Sequence, residues 1–478
     1  MTITHYGGAG GVTGSKHLLE TDDGTTVLFD CGTFQGLPDV RERNKSFPFA
    51  PEKIDYVVLS HAHIDHCGML PLLVKRGFTG SIFATPATRD IAELMLEDSA
   101  GIEEQDARYR TKYKLGAPEW REPLFTREDI PAVMERFVTV PYVRDQDAPL
   151  DQRAGWHTIT DSLRLKLYDA GHILGSAVSV VEYQGPGGTK RVAYTGDIGA
   201  PGTPLLYDPE VPQEEIDTML IESTYGGRDH TPLAEAEERL ADTIRAVCKR
   251  KGKIIIPAFS LGRTQVLVYV LHKLTDEGKI PRFPIYVDSP LATDLTKVYQ
   301  DHRHYYDNET WADFAPRHGE QHVPLAFQNL TYTHSKRESQ ALNKKQGPFA
   351  VISASGMMTA GRVVHHLRHS ISNANNAIFI TGYQADGTLG RRLLEGAKRV
   401  ELYGDHFSVK ADIHTFNEFS AHVDQHQLTD YLEAVPGLKQ VVLVHGEPKQ
   451  ADQFRAALKQ KHPEWTVHRP DEGDSIEI

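Results

Sequence analysis

Three histidines and a carboxylate fall within six positions in His61-Ala62-His63-Ile64-Asp65-His66, directly after the apolar run Tyr56-Val57-Val58-Leu59. The run reads as a buried strand, and Met69-Leu70-Pro71-Leu72-Leu73 beyond the cluster begins a helix. The cluster therefore sits where a strand's carboxyl end turns towards a helix, the usual place for a site in an α/β protein. Side chains two apart on extended backbone share a face, so His61 and His63 can grip one ion. Asp65 and His66 follow the bend and can face a second. Imidazole and carboxylate together suit zinc, and iron or manganese less well. Histidine occurs 24 times in 478 residues, so four such specified positions arise by chance in only a few of every thousand chains, on the order of (1/20)⁴ per start. A His-rich surface turn is the bland alternative, and the spacing argues against it.

A chain of 478 residues can bury two or three cores. With 40% hydrophobic and 24% charged residues it has globular composition, and no apolar run is long enough to span a bilayer. No secretory signal is expected at Met1-Thr2-Ile3-Thr4-His5. The odd, scattered cysteines Cys31, Cys67 and Cys248 fit a reducing cytoplasm without a disulfide framework. A net charge of −13 excludes a bulk polycation coating nucleic acid, although a groove with a few Arg or Lys remains compatible with it.

Residues 1–226 read as a strand-rich first part, with a hairpin around Asp22-Asp23-Gly24 and a charged helix from about Arg89 to Lys114. The glycine-dense stretch Gly7-Gly8-Ala9-Gly10-Gly11-Val12-Thr13-Gly14 matches neither a dinucleotide nor a P-loop pattern; a tight turn or a loop close to an anion are both open. Residues 227–400 alternate strands and helices, which predicts a second domain built on a mostly parallel sheet. Two of its loops pair Ser260 with Arg263 and Ser355 with Arg362, residue types that hold phosphates at helix starts. After about residue 400 strands return, and 401–478 is expected to complete the first domain.

Five further residues, His172, Asp197, Glu222, His422 and His445, are weak signals singly, yet each follows or ends an apolar strand or opens a helix. The order His-x-His-x-Asp-His, Gly-His, Thr-Gly-Asp and a late His resembles the metallo-β-lactamase superfamily. Glu222-Ser223-Thr224-Tyr225-Gly226, Phe419-Ser420-Ala421-His422 and Val444-His445-Gly446-Glu447 are similar to blocks of its β-CASP subgroup, which includes RNA nucleases related to the cleavage and polyadenylation endonuclease.

That resemblance implies an αββα sandwich carrying an inserted α/β β-CASP domain over the active site. It implies two Zn²⁺ per chain, one on His61, His63 and His172, the other on Asp65, His66 and His445, with Asp197 between them. Asp30 would orient ligands, Asp65 and Asp197 would orient an attacking water activated by two metals, and His422, paired with Glu222, would be the general acid. The implied activity is endonucleolytic hydrolysis of RNA in processing or decay, in the cytoplasm, with no membrane partner and with homodimers known among relatives. A DNA-directed or dual-specificity nuclease, an ester or thioester hydrolase and a catalytically dead RNA-binding subunit are the competing readings. His445 favours RNA, and the long insertion disfavours a small ester.

Overall fold

The chain is described here from a computed structural model, covering residues 1–36, 40–144, 155–229, 233–314, 324–382, 384–385, 387–419 and 421–478. These form two compact units. The first comprises Met1–Pro201, Asp208–Asp229 and His422–Ile478; the second comprises Gly202–Tyr207 and His230–Ala421. No described helix is long and apolar enough to cross a membrane.

Two seven-stranded sheets build the first unit. One orders its strands as Ser475–Glu477, Thr2–Gly7, Lys16–Glu20, Thr26–Phe29, Tyr56–Val58, Ser81–Ala84 and Phe137–Thr139. The other runs Thr466–His468, Gln440–Val444, Thr218–Glu222, Gly188–Tyr194, Ala177–Gly185, Leu163–Asp169 and His157–Thr158. The sheets meet through Phe29 and Tyr194, whose rings lie 5.3 Å apart. On the second sheet, Val180, Met219, Ile221, Val441 and Leu443 bury against Leu428 and Leu432 of the helix Gln425–Ala434 and Phe454 and Leu458 of the helix Pro448–Lys461. The layering is the α/β sandwich with helices that the sequence led us to expect. The predicted hairpin is present, with Lys16–Glu20 antiparallel to Thr26–Phe29. The charged helix spans Pro86–Tyr113, capped where the Thr85 hydroxyl accepts from Thr88 N–H.

The second unit holds a six-stranded sheet ordered Leu330–Tyr332, Ile285–Val287, Phe349–Ser353, Lys253–Pro257, Ala377–Ile380 and Asp412–Thr415, and every pairing in it is parallel. Its inner strands Phe349–Ser353, Lys253–Pro257 and Ala377–Ile380 are near-continuous apolar runs, as strands covered on both faces require. The compact second unit runs past the expected 400/401 division to Ala421, because Asp412–Thr415 pairs with Ala377–Ile380 and Arg399–Leu402 forms a ribbon with Asp405–Ser408. Short strands carry no local sign of the sheet they will join.

Asp288 is fully buried in this unit and accepts from Arg362 Nη1 at 2.6 Å, His366 Nε2 at 2.6 Å, and the Ser339 and Thr333 hydroxyls. Burial alone would raise its pKa; the four donors more than reverse this and hold it well below the usual carboxylate range. A depressed folded-state pKa stabilises the fold above the ordinary carboxylate value of about 4, and that contribution fades as pH falls below it. Asp288→Asn is expected to cost about 3–5 kcal/mol in the second unit, read from hydrogen exchange of amides in Phe349–Ser353. Unchanged protection there would show the network to be dispensable.

Candidate metal centre and acid–base pair

The site is assembled in the first unit at the ends of strands from both sheets. Beyond Tyr56–Val58 the chain stays extended through His63 and then makes the short helix Ile64–Cys67, which puts Asp65 and His66 on a helical turn. His172 lies between Leu163–Asp169 and Ala177–Gly185, in a loop tied by the Ser176 hydroxyl accepting from the amides of residues 172 and 173. Asp197 follows Gly188–Tyr194 through Gly196, which has φ +53° and no room for a side chain: a Cβ there would lie 2.5 Å from the Ser60 side chain. His445 ends Gln440–Val444 with φ 47° and donates its N–H to Gly8 O at 2.6 Å. The glycine-dense stretch thus holds the backbone of a site residue.

Asp197 is the meeting point. Its Oδ2 lies 3.5 Å from His61 Nε2 and 3.6 Å from His172 Nε2. Its Oδ1 lies 3.4 Å from His66 Nε2 and 3.5 Å from His445 Nε2. Among the described residues, neither Asp197 Oδ1 nor His66 Nε2 has a hydrogen-bond partner, although both are buried. A Zn–N bond of about 2.0–2.1 Å sets donor atoms around a tetrahedral ion about 3.3–3.4 Å apart. The spacings match donors arranged around a cation rather than hydrogen-bonded to one another. Two sets of donors converge, His61, His63, His172 and Asp197, and Asp65, His66 and His445, each with ligand atoms within 4.8 Å of one another. The residues fit metal ions.

Protonation agrees with that role. Burial pushes His61 well down and His63 down to about 4, so both present lone pairs. Burial also opposes charge on His66, but Asp197 and Asp30 outweigh it and raise His66 well above the ordinary value. Against its own burial, Asp197 is held well below the carboxylate range by His445, His66 and His61. A buried anion with this many imidazoles around it is a place for positive charge.

Asp30 stands behind His66. Its Oδ2 accepts from His66 Nδ1 at 2.6 Å, Tyr194 OH at 2.6 Å and Ser60 Oγ at 2.8 Å, and its Oδ1 from Ser60 N–H at 2.7 Å. With Nδ1 engaged, Nε2 is the nitrogen left to face Asp197 and a metal ion. Glu222, fully buried, accepts from the Ile198 amide at 2.7 Å and contacts His422 Nδ1 at 3.0 and 3.1 Å. Burial lowers His422, and the Glu222 carboxylate overcomes this and pushes it up to about 10. His422 is thus a protonated imidazole at neutral pH, 4.6 Å from the His172 ring. Glu222 and His422 also lie with Asp197 in a third cluster of ligating types. Ser420, in the block that carried His422, lies outside the described residues.

Cys31 and Cys67 are free, buried thiols outside every ligand set; burial pushes Cys31 up to about 12. The phosphate candidates lie in the second unit. Ser260 Oγ is 3.1 Å from Ser289 Oγ, Arg263 opens the helix Arg263–Asp276, and Ser355 Oγ accepts from the Thr359 amide at 3.2 Å. Arg362 is held by Asp288 and the His334 carbonyl, so its guanidinium has a structural task of its own. Sequence reading passed over Tyr194, Ser60, Ser15 and His17, which lie next to the ligands in space and carry no motif signal of their own.

Comparison with known proteins agrees with this geometry. Residues 9–258 match the metallo-beta-lactamase superfamily, 264–393 the Beta-Casp domain, and 407–470 the Zn-dependent metallo-hydrolase RNA specificity domain. The chain is 34% identical over 473 residues to Ribonuclease TTHA0252 of Thermus thermophilus, covering 99% of both chains. It is 31% identical to transcription termination factor FttA of Pyrococcus horikoshii, over 96% of this chain and 68% of that one. It is 30% identical to an RNase J-like protein of Methanocaldococcus jannaschii, over 96% of this chain and 95% of that one.

If Asp197 is the carboxylate common to both donor sets, Asp197→Asn should lose metal from both after dialysis against a dilute chelator, whereas His445→Asn should lose it from one. Elemental analysis of the two dialysed variants distinguishes them; equal losses would show that the two sets do not share a ligand.

Proposed function

The chain belongs to the metallo-beta-lactamase superfamily, in its β-CASP branch, and on that premise we propose that it is a zinc-dependent endoribonuclease. The observation that carries the reading is one buried carboxylate, Asp197, facing two imidazoles on each oxygen, beside a Glu222–His422 pair. RNA as substrate is supported by the RNA specificity match over 407–470 and by the ribonuclease relative aligned along the whole chain. In this reading the first unit is catalytic, and the second, with the Beta-Casp match inside it, engages the polymer. The three unpaired cysteines support a cytoplasmic setting.

When bound, a pair of divalent ions would supply Lewis acidity and a nucleophile at neutral pH. His61, His63 and His172 would hold one zinc and Asp65, His66 and His445 the other, with Asp197 shared. Asp65 and Asp197 accept hydrogen bonds from the attacking water and aim it at phosphorus. A ribose 3′-oxygen is a poor leaving group and needs a proton as its bond to phosphorus breaks. His422 donates that proton, and Glu222 on Nδ1 keeps the ring charged and oriented. The products carry a 5′-phosphate and a 3′-hydroxyl. Arg263, at the start of its helix, contacts backbone phosphate, with Ser260 beside it and Ser355 in the corresponding later loop, where Arg362 is engaged by Asp288 and shapes the loop instead.

Three measurements test this. The purified chain should carry about two zinc equivalents, and cut circular RNA while leaving matched DNA intact; cleavage of DNA at a similar rate would favour the dual-specificity reading. His422→Ala should keep its metal and lose about 10²-fold or more in kcat; loss of zinc instead would make His422 a ligand. Arg263→Ala should raise KM for RNA and lower the salt slope of binding by about one, and unchanged binding would return that loop to a structural role.

A further inference from the structure

Behind Asp30 lies a line of buried polar side chains that the reaction above does not use. Tyr194 OH is 2.6 Å from Asp30 Oδ2, Ser15 Oγ is 3.0 Å from Tyr194 OH, His17 Nε2 is 3.2 Å from Ser15 Oγ, and His5 Nδ1 is 2.9 Å from His17 Nδ1. All five residues are fully buried. The line crosses from the second sheet, at Tyr194, into the first, at His17 and His5.

Its proton order follows from counting hydrogens. Asp30 takes four donors, and the single Tyr194 proton points at it. The Tyr194 oxygen must then accept, and the single Ser15 proton points at Tyr194. Ser15 in turn must accept, from His17 Nε2–H. Burial holds His17 well below the ordinary imidazole value and His5 down to about 4, so each ring is neutral and carries one proton. With its proton on Nε2, His17 offers a bare Nδ1, which accepts from His5 Nδ1–H. That leaves a lone pair on His5 Nε2, and this atom is buried with no hydrogen-bond partner among the described residues. Every proton in the line points towards Asp30. Bonds aligned in this way polarise one another, by about 10–30% per bond.

We propose that Tyr194, Ser15, His17 and His5 are positioning residues, a one-way hydrogen-bond chain that fixes the Asp30 carboxylate on His66 Nδ1 and so sets how tightly the His66 side of the centre holds its metal. The proposal rests on the metal-centre reading given above. Each step acts through the next, and only Tyr194 touches Asp30; Phe29 and His17 pack the Tyr194 ring at 5.3 and 5.5 Å, so its removal as a hydroxyl leaves the packing in place.

The test uses the full chain as wild type, Tyr194→Phe, Ser15→Ala and the double variant. Zinc dissociation constants are measured by chelator competition, Co²⁺-substituted absorption spectra report the ligand field, and near-UV circular dichroism of the metal-free proteins reports folding. Tyr194→Phe is expected to weaken the ion at the His66 side about 10–100-fold and shift the cobalt spectrum. Ser15→Ala should shift both less, in the same direction. The double variant should be no worse than Tyr194→Phe, because Ser15 reaches Asp30 only through the hydroxyl. Folded variants with wild-type constants, or losses that add, overturn the chain; should Tyr194→Phe not fold, unchanged constants in Ser15→Ala overturn it alone. A wild-type protein that takes up no metal fails the metal-centre reading itself, an outcome distinct from metal-binding wild type with indifferent variants.

Discussion

An isolated carboxylate taken out of water costs several kcal/mol unless something positive meets it. Asp197 is 3% exposed, and its four imidazole neighbours at 3.4–3.6 Å come from three other stretches of chain. The architecture of the first unit is what makes that meeting happen. Parallel pairing of Thr218–Glu222 with both Gly188–Tyr194 and Gln440–Val444 brings the strand ends bearing Asp197, Glu222 and His445 side by side. The parallel pair Thr26–Phe29 and Tyr56–Val58 in the other sheet does the same for Asp30 and the histidine cluster. Each candidate ligand stands on a short loop or helical turn that follows a buried strand, so the donors are held in place by the fold itself.

Placement of this kind forces the backbone into uncommon shapes. Asp30 and His445 both have positive φ, 58° and 47°, in a region that side-chain-bearing residues seldom occupy. Each is compensated locally: Asp30 N–H reaches Val58 O at 3.1 Å, and His445 N–H reaches Gly8 O at 2.6 Å. At Gly32 even a methyl group would collide, since a Cβ would lie 1.5 Å from Asp65 O. Backbone and ligand loops are packed so closely that the site's geometry is a property of the sandwich as a whole.

The histidine cluster was legible because its members adjoin one another in the chain and break an apolar run abruptly. His172, Asp197, Glu222, His422 and His445 became legible only through the order of their blocks, since one histidine past one strand says little. The parallel second unit could be read from the alternation of apolar strands and amphipathic helices. His5, Ser15, His17 and Tyr194 could not be read at all. Two of them sit on half-apolar strands where a polar residue looks like the solvent side of a pleat, and only the facing of the two sheets reveals that this side is interior. The partner of the strand Asp412–Thr415 could not be read for a related reason: its register is set by Ala377–Ile380, more than thirty residues away, and nothing in its own composition names that partner.

Two buried carboxylates show how a site can be told from a scaffold. Asp288 is saturated by Arg362, His366, Ser339 and Thr333 at hydrogen-bonding distance, each of them bonded to it. It behaves as an internal rivet, and a ligand would have to displace protein to reach it. Around Asp197 the imidazole nitrogens stop at 3.4–3.6 Å, beyond a good hydrogen bond yet too near for buried groups that ignore one another. Folding places them there because the strand ends and the Asp30 contact dictate it, and the balance of charge is completed from outside the chain. Chemistry belongs to the carboxylate on which imidazoles converge without bonding to it; stability belongs to the one whose donors already bond.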